Sequence, residues 1–135
     1  GGPVALYRED QQRYSSIHQS FRDAMVAPAQ LASFKPTVKA VLTENCWDME
    51  LTELRYRERF MNQEIQARLK SDDARQLGKD EKDALRLEIR QKNFSQEEWD
   101  TLQSGVSNAE YHYLGSAKIM VRIGISFAQA MLSML

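Results

Sequence analysis

A chain of 135 residues with 42% apolar and 27% charged side chains can build one core without metal or disulfide staples, and its three prolines and six glycines leave no room for a long low-complexity linker. A formal net charge of −1 removes whole-molecule electrostatics as a reason to expect a nucleic acid or an anionic membrane as partner. The single cysteine, Cys46, excludes an internal disulfide and a multi-cysteine zinc site in the monomer.

The opening GGPVALYRED has no apolar run of secretory-signal length, and both a cytoplasmic origin and a processed, exported one are compatible with it. Residues 1–6 read as a flexible lead-in to a single helical domain that spans 1–135. Over 7–25, Tyr14, Ile17, Phe21 and Met25 recur at spacings of three and four, which predicts a helix with one apolar stripe packed inward. Arg13, Gln19 and Arg22 then face water. Pro28 ends or bends this helix, and 29–36 reads as a short turn or one loose helical turn before Pro36.

From Thr37 to about Lys70 no glycine or proline interrupts the pattern, which predicts one long helix with two apolar sides. Val38, Leu42, Met49, Tyr56 and Phe60 lie on one side; Trp47, Leu51, Leu54, Met61, Ile65 and Leu69 lie on the other. Cys46, beside Trp47, reads as a small buried hydrophobe. The polar run around Gly78 predicts an exposed corner, and a further helix starts near Asp80 with Ala84, Leu85, Leu87 and Ile89 as its apolar side. On that helix Glu88 and Lys92 stand four apart, the spacing of a stabilising pair.

The most specific local signal is Phe94, Ser95, Glu98 and Trp99. Ser95 and Glu98 have the spacing of a capping box, and Phe94 and Trp99 occupy the two positions of a hydrophobic staple. A related arrangement at Val106, Ser107, Glu110 and Tyr111 predicts that a short helix ends near Gly105 and that the last one runs from about Asn108 towards Leu135, with Gly115 and Gly124 as possible bends. Residues 119–135, IMVRIGISFAQAMLSML, are apolar on nearly every side, so that helix must be covered. Cover inside its own bundle is the favoured expectation. The apolar run after Arg122 is about half of what a membrane span needs, while Gly124, Ala128 and, on a neighbouring face, Ala130 would let another helix come close.

No signature of catalysis or of a cofactor is present. Ser15 and Ala109 stand three residues before His18 and His112, so neither histidine completes the Glu-x-x-His pattern of a carboxylate-bridged metal pair. The stretch 110–113, EYHY, scatters acid, imidazole and phenols over different helix faces. Arg55, Arg57 and Arg59 are interrupted by Glu53 and Glu58 and read as a solvated face with local ion pairs, not as a phosphate-tracking patch.

These readings commit to an all-α bundle of about four to five helices, with one long amphipathic helix and a largely buried C-terminal helix. The function expected is a non-enzymatic protein–protein interaction or assembly domain, with a protein partner or a second copy as ligand. Leu51, Leu54, Tyr56, Phe60, Met61 and Ile65 are its candidate contact residues. No cofactor, nucleic acid or small-molecule ligand is inferred. Membrane association through 119–135 is the alternative, and an enzyme built around His112 comes third.

Overall fold

Among the described residues six α-helices make up most of the structure: α1 (Ser15–Val26), α2 (Met49–Leu69), α3 (Asp72–Arg75), α4 (Lys79–Asn93), α5 (Gln96–Gly105) and α6 (Ala117–Leu132). Single 3₁₀ turns lie at Ala27–Gln30, Thr43–Cys46 and Glu110–Gly115. The computed structural model describes residues 14–108 and 110–135, with nothing stated of the side chains of Glu110 and Tyr111. The lead-in 1–6 and the predicted helical residues 7–13 lie outside the described residues. The fold class is all-α, a helical bundle as the periodicities require, with no strand among the described residues.

Read from sequence as one domain, the chain groups into two compact units: a central unit, Met49–Ser107, and a paired-end unit made of the segments up to Asp48 and from Asn108 onward. In the central unit, α2 turns Leu51, Leu54, Met61 and Ile65 inward along one stripe. Leu54, Met61 and Ile65 form a core with Ile89 of α4, Phe94 before α5 and Leu102 of α5, and Leu69, Leu85, Trp99 and Val106 close its edge. Each such side chain contributes roughly 1.5–3 kcal/mol by leaving water. The corner at Gly78 is as predicted: Glu81 accepts from the Gly78 N–H at 2.8 Å and opens α4. The four-residue α3 fits into the polar run that precedes it.

The capping box at Ser95 forms in full. The Glu98 N–H donates to Ser95 Oγ at 3.1 Å and the Ser95 N–H donates to Glu98 Oε2 at 2.9 Å. Phe94 and Trp99 meet edge to face with centroids 5.5 Å apart, completing the staple. Arg57 donates to Glu98 Oε1 at 2.6 Å while its guanidinium lies 4.8 Å from the Phe94 ring centre. The Ser95 backbone N–H, then the Arg57 guanidinium, hold the Glu98 carboxyl below its ordinary value of 4.5. Lys92 pairs across to Glu64 of α2 at 3.7 Å, a contact between helices instead of the expected pairing along its own helix. At the end of α5 a Cβ on Gly105 would lie 2.6 Å from Leu51 Cδ2, so the absent side chain is what lets α5 settle against α2.

Two boundaries and the facing of one helix differ from the sequence reading. The long helix begins at Met49, not Thr37, because 37–48 is spent otherwise: Leu42 and Trp47 are extended, and Cys46, Trp47 and Asp48 are buried. The β-branched Thr37, Val38, Val41 and Thr43 also weaken helix formation there. The last helix begins at Ala117, not near Asn108, because Tyr113 and Leu114 adopt left-handed φ of 54° and 59°, followed by Gly115 at 60°. Finally, the apolar stripe of α1 points outward. None of the α1 residues is buried; Phe21 and Met25 lie in water, and it is Arg22 that turns inward to an ion pair with Glu44 at 3.2 Å.

A candidate interaction surface on the paired-end unit

The paired-end unit is fastened by polar contacts around Trp47 and Asp48. The buried Asp48 carboxylate receives Lys118 at 2.6 Å and has Arg122 at 3.8 Å, and Arg122 also donates to the Trp47 carbonyl at 3.3 Å. The Trp47 ring lies 5.7 Å from that of Tyr113, whose hydroxyl is 3.3 Å from Thr43 Oγ1. Cys46, buried as predicted, has its Sγ 3.4 Å from Ser126 Oγ of α6. Left-handed backbone costs a non-glycine residue about 1–2 kcal/mol. At Leu114 that cost is offset by a side chain wholly withdrawn from water and by the Asn108 N–H, which donates to the Leu114 carbonyl at 3.0 Å.

These anchors fix the orientation of α6. Ile119 and Ile123 go inward and are buried, with Ser126 and Ala130 half-buried on the same side. The expectation of a covered C-terminal helix is met on that side alone. Winding at 3.6 residues per turn, Ala117, Gly124 and Ala128 line up along the middle of the opposite face. Val121, Ile125 and Leu132 flank them on one side and Met120, Phe127 and Met131 on the other; all six flanking side chains are half or more exposed. Among the described residues a Cβ on Gly124 would meet nothing within 4 Å, so none of them packs on the middle of that face.

Between α1, residues 40–44 and α6 lies an open cleft of about 430 Å³. Met25, Val26, Val41 and Phe127 give it apolar walls, and the Arg22–Glu44 pair with the Thr43 and Tyr113 hydroxyls gives it a polar edge. Met25 and Phe127 both line it, which makes the outward stripe of α1 and the outward face of α6 parts of one apolar surface.

The sequence-predicted contact residues fall elsewhere. Leu51, Leu54, Met61 and Ile65 are spent inside the central unit, Tyr56 is half-buried, and Phe60, 60% exposed, stands in water with Met49 on the second apolar side of α2. Arg55 pairs with Glu58 within α2, the local ion pairing expected of that face, whereas Arg57 reaches across to Glu98 of α5. His18 stacks on Tyr14 with centroids 6.2 Å apart, and His112 is exposed. Among the described residues no group of three His, Cys, Asp or Glu is placed to hold a metal ion, and no helix is long and apolar enough to cross a membrane. The outward face of α6 was within reach of sequence reasoning through Gly124 and Ala128; what the sequence did not reveal is which side the chain itself would cover.

Compared with protein-family models, with curated proteins and with solved structures, the chain matches none.

Proposed function

We propose that this chain is a non-enzymatic helical interaction and assembly domain, and that it engages another protein through the paired-end unit. The observation that carries the reading is the outward face of α6: six large apolar side chains, half or more exposed, around a small-residue centre. Contiguous apolar surface of this kind on a folded chain marks a contact site. Its shape suits a helix as ligand, since small residues let a second backbone approach closely and the flanking side chains close around it. The central unit serves as a scaffold, because its longest helix spends its better stripe on its own core.

A lipid surface suits this face less well. An interfacial helix draws its affinity from a polar side rich in Lys and Arg, whereas α6 has two such residues and both are engaged by Asp48.

The test is a photo-crosslinking amino acid placed at Phe127 or Met131, with exposed Gln91 of α4 in the central unit as control, in cells that produce the chain. Discrete adducts of protein size from the two face positions and none from the control are expected. Equal adducts from all three positions, or none from the face, overturn the reading.

A further inference from the structure

We infer that the occupant of the α6 face is a second copy of the same face, packed antiparallel with Gly124 of each copy against Ala128 of the other. The inference rests on the interaction-domain reading above and names its partner.

Charge gives the first argument. The α6 sequence has Lys118 and Arg122 in its first two turns, no acidic residue along its length and no basic residue in its last turn. That is the reverse of what a helix dipole favours, which is acid at the start and base at the end. Asp48 holds both cations, so one carboxylate faces two positive groups. An antiparallel copy supplies the missing complement. Lys118 and Arg122 lie on the polar edge that also carries Gln129 and Ser133. Under an antiparallel twofold that edge meets its own counterpart in reverse order, which sets the two cations beside the last-turn carbonyls, Gln129 and Ser133 of the other copy. A parallel pair instead brings two electropositive helix starts to the same level.

Area gives the second. With a large apolar residue offering roughly 200 Å² when fully exposed, the six flanking side chains present on the order of 600 Å² per copy, and a twofold pair buries about 1,200 Å², the lower bound of a specific stable interface. The face is also complementary to itself. With Gly124 opposite Ala128, each flank meets its own counterpart in reverse order, so that Val121 comes beside Leu132 and Met120 beside Met131, while Ile125 and Phe127 near the axis meet their own copies. Isologous contacts of this kind are the commonest route to a closed assembly.

The experiment uses the purified full chain without detergent. Light scattering across a concentration series is expected to move from the mass of one chain to twice that mass. Gly124→Leu adds a side chain where no described residue lies within 4 Å of the Cβ, so helicity and melting temperature should hold while the dimer dissociation constant rises at least about tenfold. Orientation is read by oxidising an equal mixture of Gly124→Cys and Ala128→Cys chains with diamide. The mixed disulfide should exceed each like-with-like product by well over the twofold excess that random pairing gives. A concentration-independent monomer, a Gly124→Leu chain that dimerises undiminished, or a mixed disulfide at or below that twofold excess overturns the antiparallel pair. A monomer in solution together with adducts to an unlike protein from Phe127 would leave the interaction-domain reading standing and remove self-pairing, so the two failures are distinguishable.

Discussion

The central unit and the paired-end unit are built from helices of similar length, yet they treat apolar side chains in opposite ways. In the central unit the stripes of α2, α4 and α5 converge, and Met61 and Leu102 are almost wholly withdrawn from water. In the paired-end unit α1 buries nothing and α6 buries two isoleucines, while Phe21, Met25, Met131 and Leu132 stay in solvent. One unit uses its apolar surface to hold itself together. The other is tied by a buried carboxylate, a tryptophan and a left-handed turn, which leaves much of the apolar surface of α1 and α6 exposed.

The sharpest way to break this contrast is to delete comparable side chains on each side of it. Leu102→Ala should destabilise the chain by about 2–5 kcal/mol, because it leaves a cavity in a closed core. Leu132→Ala, at a position 69% exposed, should change the stability of the monomer by no more than about 0.5 kcal/mol. Urea denaturation followed by circular dichroism, at a concentration too low for association, measures both. Equal costs would mean that α6 is covered within the chain after all.

Two serines that precede helices give a smaller, cleaner comparison. Ser95 caps α5 through its hydroxyl, so Ser95→Ala should cost about 1 kcal/mol. Ser116 precedes α6 with a buried hydroxyl that makes no hydrogen bond and no cap. Ser116→Ala should therefore be neutral or stabilising, since it removes a desolvated polar group with no partner to lose. The same denaturation curves decide it, and a Ser116→Ala loss as large as that of Ser95→Ala would contradict the assignment.

The smallest effect concerns pH. Because the folded state holds the Glu98 carboxyl below its ordinary value, its contribution is fully present above the unfolded-chain value and is lost as pH falls through the lowered one. Comparing melting temperatures of the natural chain and Glu98→Gln should show the gap shrinking as the solution is acidified from neutral through pH 4. A gap constant over that range would remove the ion pair and the cap as its cause. Glu98 is well exposed to solvent, so salt should also reduce the Arg57 part of the effect.

What the sequence makes legible follows from how local each cause is. The box at Ser95 and Glu98, the staple of Phe94 and Trp99, the corner at Gly78 and the close of α5 at Gly105 each depend on residues within a few positions, and all form where the spacing predicts them. The stripe of Leu51, Leu54, Met61 and Ile65 is legible as apolar, but its role as core depends on α4 and α5 lying against it. The uncovered state of α6 depends on more distant causes still. Asp48 and Trp47 decide which side of α6 is held, and no periodicity within 117–132 encodes a contact with residues some seventy positions earlier. The start of α6 is illegible for a different reason: Tyr113 and Leu114 are residues that rarely take left-handed backbone, so nothing in their identity announces the turn.

That the paired-end unit is assembled from two separate stretches also sets an order of events during synthesis. The central unit is complete once Ser107 has been made, and its contacts join neighbouring helices, which favours early folding as a contiguous block. Asp48 must wait until Lys118 and Arg122 emerge, and Trp47 until Tyr113, so α1 and the 40–47 segment stay unanchored for the whole time the central unit is being translated. Any partner that covers the α6 face can meet it in its anchored orientation only after this last closure.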